Sequence, residues 1–378
     1  MDMGTEKILI LDSVYRDLLK SLPDIDLSED SNLLSDIERY WQDSRLNGYG
    51  NGAELSERLN SQGFDSKRIV LNDLHRRHKP KRNPPLANLR GDALSRFGFV
   101  GKHVLSASSM SSLIVEAVDR FRPEFVYVMN PNFLAPRVIE SIQSKGCKAI
   151  AQISSYLPPN IFMKNYDLVI TALPSIVDSM AKLGVQSKLI PLWFNPKWET
   201  LSKNWEDRDF NLVFSGSLGR HHSHTYRLLA AAKEVIPDIQ IFAQAEKRKA
   251  KKFGLLSNIN EPVFGKEMFQ TLGNSRLVLN RHANLARNYS VNLRMFEATG
   301  MGAALLTEKS SNIADLFDEK SVFEYGSISD LQDTLEKYLI SPKVFSVAAN
   351  SAMQHTRSVH NANVRAEHIS EAIRSTLE

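Results

Sequence analysis

LNRHANLARNYSVNLRMFEATGMGAALLT, residues 279–307, strings together the end of an apolar strand, a polar loop, a helix start and a second apolar strand. The first strand reads as RLVLNRH (276–282) and ends on Arg281 and His282. A helix over 292–300 follows, with Met295, Phe296 and Ala298 facing a core and Gly300 at its end; AALLT (303–307) is the next strand. The start of a helix exposes unpaired N–H groups and the positive end of its dipole, so Asn292 and Leu293 mark a place where phosphate is attracted. Arg294, in the first turn, adds a guanidinium able to grip a diphosphate. Glu297 lies three residues on, on the same face, where a carboxylate can accept hydrogen bonds from both hydroxyls of a ribose. An Arg/Glu pair at this spacing, taken alone, reads more readily as a solvated ion pair. The succession of strand, polar loop, helix and glycines is what favours a ligand site.

The same alternation extends in both directions. Upstream lie strands FNLVFSG (210–216) and IQIFAQ (239–244), with a helix at 224–236 between them. Downstream come SVFEYG (321–326), a helix at 328–339 and two amphipathic helices near 343–354 and 361–377. The first half repeats the pattern with KILILD (7–12), RIVLN (68–72), FVYVMN (125–130), KAIAQIS (148–154), YDLVITA (166–172) and SKLIPLWF (187–194). Runs that are apolar throughout, joined by helices, predict parallel sheets covered on both faces. The fold class is therefore α/β, with two doubly wound Rossmann-like domains. The predicted division is 1–200, carrying a basic loop at about 75–105; 210–360; and a terminal helix at 361–378 that packs back on the first domain. The polar stretch 195–209 reads as the linker, and a cleft between the two halves is the default ligand site.

Composition narrows the alternatives. With 42% hydrophobic and 24% charged residues the chain is an ordinary folded one, and no apolar run reaches the ~20 residues of a bilayer crossing. MDMGTEKILILDS has no basic leader segment, and a single cysteine, Cys147, permits neither an internal disulfide nor a cysteine-based zinc site. A cytoplasmic location is expected. The net charge of +4 is too small for a typical nucleic-acid binder, although HRRHKPKR (75–82) and EKRKAKKF (246–253) concentrate positive charge. Neither run has interleaved aromatics for stacking on bases, so no nucleic-acid partner is expected.

The segment NLRMFEATGMGAALLT (292–307) resembles the donor-site signature of group 1 glycosyltransferases of the GT-B fold, the family 4-like set. It is most similar to the branch of spore-maturation CgeB-like and surface-polysaccharide proteins. The resemblance implies two Rossmann-like domains facing each other across a cleft, the first binding the acceptor and the second a nucleotide-sugar. In the wider group an E-x7-E pattern holds the donor, and its second Glu contacts the ribose. Glu297 matches that second position, whereas Tyr289 stands where the first Glu would fall. LVFSGSLGRHHSHTYR (212–227) resembles the loop that opens the donor domain, assigning the diphosphate to Gly216 and Ser217 and, since Ser217 replaces the usual Arg, the cationic role to Arg220. VFGKEMFQTLGNSRLVLNRH (263–282) resembles the segment in which Phe264 and Gly265 border the base. GYGNGAELSERLNSQGFDSKRIVLN (48–72) resembles the acceptor-side glycine loop and helix, assigning acceptor contacts to Tyr49, Gly50, Asn51 and Gly52.

The activity implied is transfer of a sugar from a nucleotide-sugar to an acceptor hydroxyl in surface glycan or glycoconjugate synthesis, with the acceptor a glycan, a lipid-linked species or a protein. The resemblance points to retaining transfer. No residue stands out as the base, and His282 and Asn130 are the candidates, His282 also as a donor contact. The acidic pairs DID (24–26) and DRD (207–209) lie in polar, non-strand contexts and read as solvated charge; the spacing of His221, His222 and His224 fits no zinc motif. No metal and no further cofactor are expected. The basic run 75–82 would suit peripheral contact with an anionic membrane at its inner face. Two other readings compete: an inactive GT-B-like protein that only binds nucleotide or glycan, and a binder of anionic surfaces or nucleic acid. An oxidoreductase is disfavoured, because SVYRDLL after Asp12 lacks the glycine fingerprint.

Overall fold

Apolar runs with no polar interruption become strands with both faces covered, and this holds in the computed structural model, which describes residues 5–13, 51–71, 109–218, 223–282, 288–318 and 320–377. The chain divides into two units, Met1–Pro191 with Arg365–Glu378, and Leu192–Val364.

In the first unit β1 (Glu6–Asp12), β2 (Phe64–Val70), β3 (Phe125–Val128), β4 (Lys148–Gln152), β5 (Leu168–Thr171) and β6 (Ser187–Leu189) form one parallel sheet in the order β2-β1-β3-β4-β5-β6. Ile8, Leu9, Ile10 and Leu11 are wholly buried, as a strand packed on both sides requires. β1 ends on Asp12, a buried carboxylate whose Oδ2 accepts bonds from Arg68 Nε (2.9 Å) and Nη2 (2.5 Å). The first turn of the Asn51–Ser61 helix closes over it. A Cβ at Gly52 would stand 2.3 Å from Asp12 Oδ2 and 2.8 Å from Met129 Sδ, so only glycine fits there. At the other end of the sequence, Arg374 donates to Glu6 Oε2 (2.7 Å) and to the carbonyl of Gln62 (3.0 Å) and covers the ring of Phe64. Those contacts hold the last helix to the sheet of the first unit.

In the second unit β7 (Phe210–Ser215), β8 (Gln240–Phe242), β9 (Ile259–Asn260), β10 (Ser275–Asn280), β11 (Ala304–Glu308) and β12 (Phe323–Tyr325) form a parallel sheet in the order β12-β11-β10-β7-β8-β9. Side chains alternate across it. Leu277, Leu279, Ala304 and Leu306 join Tyr226, Leu229, Leu335 and Phe345 in one core. Val278 and Leu305 join Met295, Phe296, Met301 and Phe269 in the other.

Several boundaries differ from the sequence reading. β2 begins at Phe64 and β6 stops at Leu189, while β9 is a two-residue edge strand too short to show a pattern. The stretch read as a linker, 195–209, lies inside the second unit as two short 3-10 turns, Pro196–Leu201 and Trp205–Asp207. DRD (207–209) is only partly solvated charge. Asp207 and Asp209 are exposed, but Arg208 between them is buried and donates to the carbonyls of Lys203, Ser275, Met301 and Gly302 at 2.6–3.1 Å and to Ser202 Oγ at 3.2 Å. Burial pushes its guanidinium down to about 10, with Arg276 and Arg357 adding to the effect. The basic run 75–82, the loop 75–105 and DID (24–26) lie outside the described residues.

Arg208→Ala strands several buried carbonyls at once. It is expected to lower stability by about 2–4 kcal/mol, read as the shift of the urea midpoint; a shift within error would show that Arg208 is not a structural tie.

Candidate functional site

The order of the second sheet fixes where a ligand can bind. From β7 the chain moves outward to β8 and β9, and from β10 it moves the opposite way to β11 and β12. β7 and β10 are neighbours, so a crevice opens beyond their carboxyl ends, the place where open parallel sheets hold ligands. β7 delivers Ser215, then Gly216 and Ser217, both exposed; β10 delivers Asn280, then Arg281 and His282.

The helix Leu293–Gly300 begins at this point. Asn292 caps it, its Oδ1 accepting from the N–H of Met295 (3.3 Å) while its Nδ2 donates to the carbonyl of Arg281 (3.0 Å). One side chain thus ends the helix and ties it to β10. Arg294 makes the matching tie to β7, with Nε donating to the carbonyl of Ser215 (3.0 Å) and Nη1 to Glu297 Oε2 (2.6 Å). The pair is not the solvated one that spacing alone suggested, since the side chains are only 17% and 13% exposed. A guanidinium has five N–H donors and a carboxylate about four acceptor positions. After their mutual bond and the tie to Ser215, both groups keep capacity for a ligand.

His282 is buried where β10 ends. Its N–H donates to Glu308 Oε2 (2.8 Å), and its Nε2 lies 3.1 Å from the carbonyl of Glu308, 2.9 Å from Ser290 Oγ and 3.2 Å from Thr307 Oγ1. A carbonyl only accepts, so Nε2 carries the hydrogen and Nδ1 is a bare acceptor. Among the described residues the buried Nδ1 has no hydrogen-bond partner. Burial holds the imidazole below its usual range, partly offset by the carbonyl and carboxylate of Glu308. The ring is neutral near pH 7 and acts as a hydrogen-bond acceptor.

The surroundings are fixed by residues that sequence reading did not single out. Glu308, at the end of β11, also accepts from Arg281 Nε (3.2 Å), and Arg281 Nη1 donates to Thr225 Oγ1 (2.9 Å) in the Ser223–Val235 helix. Asn312 grips the buried Ser290 through both backbone groups, at 2.7 and 3.1 Å. Tyr325 donates to the carbonyl of Asn280 (2.7 Å). Glu308 had a readable signal, a carboxylate directly after an apolar strand. Asn312 had only a helix-cap position, and its partner lies 22 residues away.

The structure therefore brings together Gly216, Ser217, His282, Asn292, Leu293, Arg294 and Glu297. Phe264 and Gly265 begin a separate helix, Gly265–Gly273, where Gly265 takes the left-handed φ of +53° that favours glycine. Tyr289 is half-buried, and burial raises its phenol above the usual range. In the first unit Asn130 caps the 3-10 turn Pro131–Phe133, its Oδ1 accepting from both the backbone and the side chain of Asn132 (3.2 Å each). Asn51 starts its helix and Gly52 packs on Asp12. Arg220, Tyr49 and Gly50 lie outside the described residues. Among the described residues no three His, Cys, Asp or Glu side chains gather as a metal-binding group, and no helix is long and apolar enough to cross a membrane.

Two Rossmann-like units, each built on a six-stranded parallel sheet, are the architecture of the GT-B fold. Residues 220–371 match the model of the glycosyl transferase-like family. Among solved structures the chain is similar to sucrose-phosphate synthase from Thermosynechococcus elongatus, with TM-score 0.62 and 11% identity, covering 98% of this chain and 99% of that one. It is similar also to Anabaena Alr3699/HepE in complex with UDP-glucose (TM-score 0.60, 14% identity, 98% and 99% covered). AviGT4, a glycosyltransferase involved in avilamycin A biosynthesis, aligns with TM-score 0.56 and 14% identity over 98% of both chains. At these identities the likeness is one of fold. No curated protein sequence matches the chain significantly.

The buried neutral His282 predicts a pH response of stability. The unfolded ring gains a proton near 6.5 and the folded ring only at lower pH, so its contribution is complete above 6.5 and is lost as the pH falls below that value. Melting temperature should therefore drop more steeply below pH 6.5 in the parent than in His282→Gln; parallel curves would remove the assignment of a buried neutral ring.

Proposed function

We propose that the protein transfers a sugar from a nucleoside-diphosphate donor to an acceptor hydroxyl, in the synthesis of a surface glycan or glycoconjugate. The observation that carries this reading is the bond from Arg294 to the carbonyl of Ser215, which draws the start of the Leu293–Gly300 helix over the end of β7. A diphosphate in that crevice meets helix N–H groups, the dipole and the remaining donors of Arg294 together. Gly216 and Ser217 put no bulky side chain in its way. Glu297 accepts from the ribose hydroxyls through the positions that Arg294 does not use. His282, neutral and with Nδ1 buried, lacks the charge to hold phosphate, and its part is to fix the end of β10 beside the donor. Arg220, Phe264 and Gly265 complete the donor side by resemblance, and Tyr49, Gly50, Asn51 and Gly52 with Asn130 the acceptor side.

In the reaction the bond from anomeric carbon to phosphate oxygen breaks, the diphosphate leaves with the electron pair, and the acceptor oxygen forms the new bond as it loses its proton. Transfer with retention gives that proton to the departing phosphate and needs no side chain as base. Positive charge at 292–294 stabilises the leaving group without a bound metal. A sugar or glycan acceptor, lipid-linked or on a protein, fits this chemistry. Alr3699/HepE, which shares the fold, has been crystallised with UDP-glucose and with UDP and glucose, which makes uridine donors the first to test. The acceptor side of a cytoplasmic enzyme would reach an anionic membrane through 75–82.

Titration of the parent with UDP, GDP, ADP and CMP, free and sugar-linked, should raise its melting temperature with at least one of them. Glu297→Ala should weaken that binding by about 1–3 kcal/mol, and an unchanged affinity would refute the ribose role. Donor hydrolysis and transfer should continue in EDTA; loss of turnover restored by a divalent metal would overturn the metal-free mechanism.

A further inference from the structure

The basic run 246–253, a featureless surface segment in sequence terms, folds into a short helix, Lys247–Lys252, between β8 and β9. Ala250 is its buried anchor. Lys247, Arg248, Lys251 and Lys252 are exposed, and their spacing of one, three and four residues gathers them on one outer face. Lys249 turns aside to pair with Glu246 (3.6 Å), while the four outer cations form no ion pair among the described residues.

This arrangement works against the helix that carries it. Like charges four apart, as in Lys247/Lys251 and Arg248/Lys252, repel along a helix. Lys247 and Arg248 also sit in the first turn, where the dipole is positive, and Glu246 at the cap makes no side-chain cap bond and pairs with Lys249 instead. A helix chosen only for solubility would mix the signs. Leu256, half-exposed just beyond the helix, adds an apolar side chain at the edge of the patch.

The helix is also rigidly placed. Ala245 bridges Leu218 in the loop after β7. The buried Tyr226 locks the same junction, its hydroxyl donating to the carbonyl of Leu218 (3.0 Å) and accepting from the N–H of Glu246 (2.9 Å). At the far end Lys233 donates to the carbonyl of Gly254 (2.6 Å), and Phe253 stacks on Tyr226. The cationic face therefore starts beside the loop assigned to the donor.

We infer that the Lys247–Lys252 helix is a docking surface for an anionic lipid bilayer, with Lys247, Arg248, Lys251 and Lys252 among the headgroups and Leu256 at the acyl boundary. Clustered cations beside an exposed leucine match a membrane surface. A long polyanion would want a wider basic track with aromatics for stacking, which this compact patch lacks. The inference stands on this helix alone and depends neither on the donor chemistry nor on 75–82.

Co-sedimentation of the full chain with phosphatidylcholine vesicles, with and without phosphatidylglycerol, tests it. The parent should bind only the anionic vesicles and be released by high salt. The variant Lys247→Gln/Arg248→Gln/Lys251→Gln/Lys252→Gln should lose binding by about tenfold or more, with its melting temperature unchanged or raised because like-charge repulsion is relieved. A second variant, with Arg76, Arg77, Lys79, Lys81 and Arg82 changed to Gln, should keep part of the binding. Equal binding by parent and helix variant would overturn the proposal, as would loss confined to the second variant. So would a parent that ignores anionic vesicles but captures an oligonucleotide.

Discussion

The second unit is organised around a buried guanidinium. Among the described residues Arg208 forms no ion pair with a carboxylate. Its charge is spread over the carbonyls of Lys203, Ser275, Met301 and Gly302, which belong to the segment before β7, the start of β10 and the end of the Leu293–Gly300 helix. A cation at the carboxyl end of a helix is favourable to its dipole. The opposite end is held by Asn292 and Arg294 to the strands β10 and β7. The helix is thus fixed at both ends relative to the sheet, and the phosphate site proposed at its start inherits that rigidity. Preorganised donors lose little entropy on binding, which is what a site for a departing diphosphate requires.

The two units use their strand ends differently. In the first, Asp12 places a carboxylate against the first turn of the Asn51–Ser61 helix, so the protein supplies its own anion there and Arg68 neutralises it. In the second, the corresponding position is flanked by Gly216 and Ser217, with an arginine in the first turn and Glu297 turned onto that arginine. One crevice is already neutralised from within. The other pairs Arg294 with Glu297 and Arg281 with Glu308, and the chain that leaves β7 there carries only small side chains, Gly216 and Ser217.

Much of this could be read in advance where the signal was local. The strands β1, β3, β4, β7, β10 and β11 follow from apolar runs, and the helix start at Asn292 from a capping residue before an amphipathic stretch. What escaped were long-range partners. Arg208 sits in a charged run that looks solvated, and nothing periodic marks one buried cation among exposed aspartates. Glu308, Asn312 and Tyr325 act on the site from 22 to 45 residues away along the chain. Their roles depend on which strand lies beside which.

The sequence alone settled the class of architecture and the start of the helix at Asn292, because hydrophobic period and capping chemistry act over a few residues. It also carried the resemblance at 292–307, in which Glu297 takes the expected position and Tyr289 departs from it. Only the tertiary structure decided that Arg294 and Glu297 form a partly buried pair tied to Ser215, that His282 is a neutral acceptor with a defined tautomer, and that the basic run 247–252 is a helix anchored beside the loop after β7. Each of these is set by groups that sheet order brings within 3 Å or so of one another. Spacing along a chain specifies a helix, and only the folded sheet specifies its neighbours.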